Sequence, residues 1–202
     1  NAGIFAGAGL SRASGYVDWK NLLRPLAKNV KLDIEKEKDY LSVAQYCRNE
    51  SGSRGSINQE ILNAFNAEVG ENENVEIIAR LPISTYWTTN YDKLIEKELE
   101  KQNRKVDVKM YSDQLSTALA NRDAVVYKMH GDVDHPAKAV LTKDDYVLYD
   151  NKRPLFRTIL KGDLISKKLL FIGFSFEDPN LDYILGQIHA LLDEKQEACS
   201  YQ

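Results

Sequence analysis

Cysteine is nearly absent. The 202 residues contain two, Cys47 and Cys199, and none between residues 48 and 198. A structural zinc site takes four Cys or His ligands at short, paired spacings, and no C-x-x-C pair occurs to supply them. The two cysteines could pair with each other, but nothing else suggests an oxidising compartment, so the cytoplasm is the default reading. Long apolar runs are missing too: no stretch approaches the roughly 20 residues a membrane-spanning helix needs. The opening Asn1-Ala2-Gly3-Ile4-Phe5 lacks the basic start of a secretory leader. An excess of one charge is likewise lacking. Twenty-seven Lys and Arg stand against 30 Asp and Glu, a net charge of -3, and the basic residues are dispersed. That balance gives no general attraction to nucleic acid or to an anionic membrane. There is no internal repeat and no low-complexity tract.

What remains is the composition of an ordinary globular domain, 43% apolar and 28% charged, long enough to bury a core of its own. Short apolar runs alternate with amphipathic stretches, the pattern of an α/β fold with a mainly parallel sheet and helices on both faces. Strands are expected at Ala2–Ala6, Ser84–Thr88, Val106–Met110, Ala124–Met129 and Leu169–Phe174. The continuous run Leu169-Leu170-Phe171-Ile172 reads as a strand covered on both faces. Trp19, Leu22, Leu23 and Leu26 sit at i, i+3, i+4 and i+7 and predict a helix with one apolar face. Three further helices, over Tyr40–Arg48, Gln59–Val69 and Val75–Leu81, fill an insertion of about residues 35–81. This is well beyond a minimal crossover, so it should form a small helical subdomain, with Ser51–Ser56 as a loop inside it. A last helix begins at Asp178-Pro179, a capping residue followed by a first-turn proline, and buries Ile184, Ile188, Leu191 and Leu192. The chain opens directly on a strand without an initiator Met, so the expectation is one domain, residues 1–202, belonging to a longer protein.

Four short segments at predicted strand ends could carry chemistry. Gly7-Ala8-Gly9-Leu10-Ser11 follows the first strand and precedes a helix, where glycines let the backbone approach a ligand and N–H groups can cradle a pyrophosphate. It departs from the G-x-G-x-x-G fingerprint at Arg12, and a ligand-free tight turn is its bland reading. Thr88-Thr89-Asn90-Tyr91-Asp92 follows the second strand; Asn90 can donate and accept, Asp92 accepts, and either could simply cap the next helix. Lys128-Met129-His130-Gly131-Asp132 offers a histidine able to act as a base near neutrality, against the commoner core-edge histidine. His130, Asp132 and His135 could be drawn as a metal set, but their spacing matches no recognised motif. Gly173-Phe174-Ser175-Phe176 could present a hydroxyl and an N–H to a ribose or phosphate. It is no nucleophile elbow, because Glu177 breaks G-x-S-x-G.

All four segments fall on one edge of a parallel sheet, the edge where open α/β folds bind ligands. Their order, from Gly7-Ala8-Gly9 and Ser11 through Thr89-Asn90-Tyr91-Asp92 and His130-Gly131 to Gly173 and Ser175, resembles the sirtuin family. The likeness is greatest to the divergent sirtuin-like domains of bacterial antiphage defence proteins. The resemblance implies a Rossmann-like fold and NAD as substrate. By it, Gly7, Ala8, Gly9 and Ser11 would line the pyrophosphate, with Thr89 and Gly173 beside the nucleotide and Ser175 on its adenosine side. Asn90 would sit by the nicotinamide ribose and position a water, Asp92 would meet the carboxamide, and His130 would be the base. Asp18 and Trp19 stand where deacetylase sirtuins carry an Asp-Phe-Arg stretch, with Lys20 in place of the Arg.

Deacetylase sirtuins also carry a four-cysteine zinc module between the histidine and the later Gly-x-Ser. Here that stretch is the charged, helical His135–Lys168, so the implied chemistry is cleavage of the nicotinamide–ribose bond of NAD without an acyl-lysine acceptor or a metal. The alternatives are a non-catalytic module that senses NAD or ADP-ribose and, less in keeping with the lost cysteines, a protein deacylase. An enzyme that empties NAD must be held silent, so the resemblance also implies a homo-oligomer, a regulatory partner protein or a flanking domain.

Overall fold

The computed structural model describes the backbone of residues 1–176 and 178–200, and the side chains of 1–176 and 178–190. Five strands, β1 (Ala2–Ala6), β2 (Thr85–Thr88), β3 (Val106–Lys109), β4 (Ala124–Lys128) and β5 (Lys168–Ile172), pair in parallel in the order β3-β4-β2-β1-β5. The chain leaves β1 toward β2 and returns from β4 to β5 on the other side of β1. This reversal of strand order opens a crevice at the carboxyl edge, the usual ligand site of such sheets.

Alternation along each strand divides the core into two layers. Ile4, Ala6, Tyr86 and Val126 point to one face, where α5 (Glu73–Arg80) and α6 (Leu94–Lys101) cover them with Val75, Ile78, Ile95 and Leu99. Phe5 and Trp87 point to the other, under α8 (Tyr149–Lys152), α9 (Pro154–Ser166) and α10 (Pro179–Ser200), which supply Tyr149, Phe156, Leu160, Leu181 and Ile184. Trp87 is fixed there by donating from its indole N–H to Asp163 Oδ2 at 2.8 Å.

The helical insertion has a core of its own. Within it α3 (Tyr40–Glu50) and α4 (Gly55–Phe65) pack with α2 (Trp19–Asn29), capped by Asp18 and lying before the expected residue 35, whereas the third expected helix, α5, packs on the sheet instead. Leu22, Leu23, Leu26, Val43, Cys47, Ile57, Ile61 and Phe65 interlock in it. Helix α4 starts four residues before the expected Gln59 and ends at Phe65, because burying Ile57 with Ile61 and Phe65 at i, i+4 and i+8 outweighs the loop-like Ser and Gly of its first turn.

Strand β5 departs most from expectation. Leu170 is 53% exposed, not covered on both faces. It lies in register with buried Ile4 of β1, but at the sheet edge, beyond the reach of the helices that cover Ile4. Helix α10 does start as expected, with Asp178 Oδ1 accepting from Asn180 N and Leu181 N at 3.0 Å each. Ile184 is buried and Ile188 packs beside it, while Leu191 and Leu192 lie outside the described side chains.

Candidate functional site

At the end of β2, Thr88 Oγ1 donates to Ala6 O at 2.9 Å and accepts from Asn90 N at 3.0 Å. This turn carries Asn90 back over β1, where its amide donates to Gly7 O at 3.0 Å and to Ser11 Oγ at 2.9 Å. Ser11 Oγ in turn donates to Asp92 Oδ2 at 2.7 Å, and Asp92 Oδ1 accepts from Leu94 N at 3.0 Å at the start of α6. Ser11, Asn90 and Asp92, far apart in sequence, thus form one hydrogen-bonded chain. Both amide hydrogens of Asn90 are engaged, which leaves Oδ1 as an acceptor without a partner among the described residues.

These side chains edge a cleft shared with Ala8, Asp18, Trp19 and Thr89, whose volume is about 30 Å³. That space suits a water molecule and is far below the size of a nicotinamide nucleotide. Asp18 has a second employment here, since its Oδ1 accepts from Asn21 N at 2.9 Å as the cap of α2. Lys20 reaches the other way, to Glu35 at 2.6 Å.

Over β1 and β5 the edge is built from backbone. Gly7 N donates to Ile172 O at 3.0 Å and Gly9 N to Gly173 O at 2.8 Å. In this conformation those two amides therefore face the β5 loop and not a phosphate. Gly173 holds φ at +61°, and a Cβ there would lie 2.2 Å from Leu10 N; one on Gly7 would lie 2.5 Å from Gly173 O. Only glycine fits either position. Ser175 is exposed and makes no hydrogen bond among the described residues.

His130 follows β4. Its neighbour Met129 N donates to Thr88 O at 2.9 Å, extending the β2–β4 pairing one residue beyond the strand, and Gly131, at φ +90°, turns the chain away. His130 is 1% exposed. Its Nε2 lies 3.1 Å from Asp178 Oδ2, an ion-pair distance, although neither ring nitrogen has an aligned hydrogen-bond partner. Tyr146, on the short helix α7 (Lys143–Val147), closes the other side, its ring 5.4 Å from the imidazole and edge-on. The Tyr146 hydroxyl donates to the same Asp178 oxygen at 2.9 Å. Burial alone would raise the Asp178 pKa. The His130 ring, the Leu181 N–H and the Tyr146 hydroxyl outweigh it and hold the carboxyl below its usual range. Burial, with Asp178 beside it, pushes the Tyr146 phenol well above its ordinary value, so Tyr146 remains a donor.

Sequence reading missed two parts of this site. Asp178 was legible only as a helix cap, because Asp-Pro at a helix start accounts for one carboxylate oxygen and says nothing of the other. The second is Lys128, 0% exposed, whose ammonium lies 2.8 Å from Glu96 and 2.6 Å from Asp132 and also donates to Asp92 O. Burial would lower the Lys128 pKa, but the Glu96, Asp132 and Asp92 charges reverse the direction and raise it. Asp132 is thereby drawn into an ion cluster under the Asn90–Asp92 loop, and His135 turns to the Tyr111 ring, 5.8 Å away. Among the described residues no group of three His, Cys, Asp or Glu side chains is placed to hold a metal ion.

A five-stranded parallel sheet with Asn90, Asp92 and His130 at its carboxyl edge is the framework of a SIR2-like domain, and the chain belongs to that family: the family model for the SIR2-like domain matches residues 84–200. Among characterised relatives, the chain is 56% identical over 197 residues to the NAD(+) hydrolase ThsA of Bacillus cereus (strain MSX-D12), covering 97% of this chain and 41% of the relative. It is 50% identical over 198 residues to the NAD(+) hydrolase ThsA of Enterococcus faecium, covering 97% and 41%. It is also 27% identical over 195 residues to the defense-associated sirtuin 2 of Bacillus subtilis, covering 93% and 19%. The chain therefore spans about two fifths of the hydrolases it matches. No described helix is long and apolar enough to cross a membrane.

Proposed function

We propose that this chain is the catalytic domain of an NAD(+) glycohydrolase, which adds water across the nicotinamide–ribose bond to give nicotinamide, ADP-ribose and a proton. The observation that carries the reading is the juxtaposition of two loops. Asn90, with a free acceptor, and His130, paired with Asp178, leave the adjoining parallel strands β2 and β4 at their carboxyl ends. The loops are tied to each other, because Val133 N donates to Tyr91 O at 3.0 Å and Tyr91 Oη donates to Val140 O at 2.6 Å, while Val140 N bonds His130 O at 2.9 Å. The names of the relatives support the same reaction, and the name of one supports a role in defence.

Cleavage passes through an oxocarbenium-like ribose, and nicotinamide leaves as a neutral group, so the protein's task is to place water and accept a proton. Asn90 Oδ1 orients the water, and His130 is the base, with Asp178 stabilising the imidazolium that forms. Asp178 acts through the His130 ring and is a positioning residue. His130 is 1% exposed in this conformation, so NAD reaches the ring only after an opening. Opening requires Tyr146 and the α10 start to part from the ring. We infer that an oligomeric contact, a partner or a flanking domain controls that opening, and that the enzyme works in the cytoplasm, where its substrate is.

The test is nicotinamide release from NAD by the purified full chain, compared with His130→Ala and Asn90→Ala. Loss in both, with unfolding midpoints near wild type, supports the reaction. NAD-dependent stabilisation without any nicotinamide release by wild type would favour a sensing module.

A further inference from the structure

A cavity of about 280 Å³ contains none of the residues assigned to NAD. It opens beyond the ends of β3 and β4, bounded by Tyr111, Lys138, Lys152 and Arg153. Arg153 is 5% exposed, yet no carboxylate meets it. Its guanidinium donates to Met110 O at 3.0 Å, Met129 O at 2.7 Å and Lys138 O at 2.8 Å. Its Nε–H and one Nη2–H have no acceptor among the described residues. A buried cation without a counter-ion is costly, and neutral carbonyls compensate only in part.

Two further cations, Lys138 and Lys152, are exposed at the rim. Lys138 Nζ sits 4.5 Å from the centre of the Tyr111 ring, and neither Lys138 nor Lys152 forms an ion pair among the described residues. The one carboxylate at the wall, Asp145, is already taken by Arg54 at 2.6 Å. The Tyr111 hydroxyl is buried with no hydrogen-bond partner, and burial raises its pKa, which keeps its proton available for donation. Arg153 and the unused Tyr111 hydroxyl thus face this space, with Lys138 and Lys152 at its rim and the Asp145 carboxylate turned to Arg54.

We propose that this cavity binds the phosphate group of a small phosphate ester of about mononucleotide size. Its volume falls at the low end of ligand sites, enough for a mononucleotide and too small for a dinucleotide. Arg153 offers the planar donors that recognise phosphate, and the two lysines supply point charges from the rim. Occupancy would be felt at His130, because Arg153 holds the carbonyl of Met129 and Tyr149 Oη donates to that same oxygen at 3.2 Å.

The experiment is calorimetric titration of the purified full chain with AMP, inorganic phosphate and adenosine. Saturable binding of AMP and phosphate, but not of adenosine, is expected. The double variant Lys138→Gln/Lys152→Gln, whose side chains are exposed and whose fold is checked by circular dichroism, should bind both about tenfold or more weakly. Tyr111→Phe should weaken phosphate binding without changing the unfolding midpoint. Phosphate binding as tightly as AMP would assign the site to the phosphate alone; tighter AMP binding would extend it to the nucleoside. The proposal is overturned if neither anion binds saturably, or if the double variant binds them as wild type does. It is likewise overturned if AMP binding is lost in Asn90→Ala and kept in the lysine variant, which would place AMP in the NAD cleft. None of these outcomes depends on NAD hydrolysis.

Discussion

The carboxyl edge of the sheet is made of two unlike halves. Over β1 and β5, Gly7, Gly9 and Gly173 interlock backbone against backbone, with closest approaches that no side chain could share. Over β2 and β4, buried polar side chains meet: Ser11, Asn90 and Asp92 in one chain, Lys128 with Glu96 and Asp132 beneath it, and His130 with Asp178 beside it. The glycine half is fixed by shape and tolerates no added atom, yet offers little chemistry. The polar half holds the groups that can move protons, and its stability depends on every charge keeping its partner. Substitutions should therefore damage the two halves in different observables.

The largest effect is expected at the two residues of the polar half proposed to act on NAD. His130→Ala and Asn90→Ala should each lower nicotinamide release by about 10² to 10⁴, the usual worth of positioned acid–base groups, with modest loss of stability. Next comes Lys128→Met, which leaves buried Glu96 without a cation and buried Asp132 with only Lys93, 4.0 Å away. Breaking such a cluster costs roughly 3 to 5 kcal/mol, read as a large fall in the urea midpoint. In the glycine half, Gly173→Ala places a side chain at φ +61° and against Leu10 N. A destabilisation of about 2 to 3 kcal/mol follows from overpacking and backbone strain together, and activity should fall with the folded fraction and no further. A Gly173→Ala protein that is stable but inactive would overturn the division, since glycine would then serve the ligand directly.

The difference also explains what the sequence made legible. Strand–turn–helix order and apolar periodicity located the five strands and the helices between residues 40 and 80, because those signals are local; that α2 joins α3 and α4 while α5 covers the sheet is not local. Ser11, Asn90, Asp92 and His130 were legible as residues with chemistry at strand ends, although nothing local joins Ser11 to an Asp92 eighty-one positions later. Asp178 and Lys128 escaped because each already had an ordinary local explanation, a cap and a strand terminus. Leu170 misled, since a continuous apolar run predicts cover on both faces and cannot report that its strand lies at a sheet edge. The closed cleft was not legible at all, because it arises from how the helical insertion rests on the sheet.

The smallest effect tests the contact that seals His130. The Asp178 carboxyl is held below its ordinary pKa in the folded protein, so the unfolded chain binds its proton first as pH falls. The stabilisation is then fully present above the unfolded carboxyl value of about 3.9, and it is lost as pH drops through the lower folded value. Asp178→Asn removes that dependence and should flatten the acid limb of the stability curve, measured as urea midpoints from pH 6 to pH 3. At neutral pH it should cost about 1 to 2 kcal/mol, since the amide can still accept from Asn180 N and Leu181 N but no longer offers a carboxylate to the Tyr146 hydroxyl and the His130 ring. Activity separates the two consequences of this pair. If Asp178 chiefly positions the base, nicotinamide release falls in proportion to the lost imidazolium stabilisation. If it chiefly bars access, the same substitution frees the ring and release rises. A fall in kcat with KM unchanged would assign Asp178 to the working half of the edge, and a rise would make it the bar on that half.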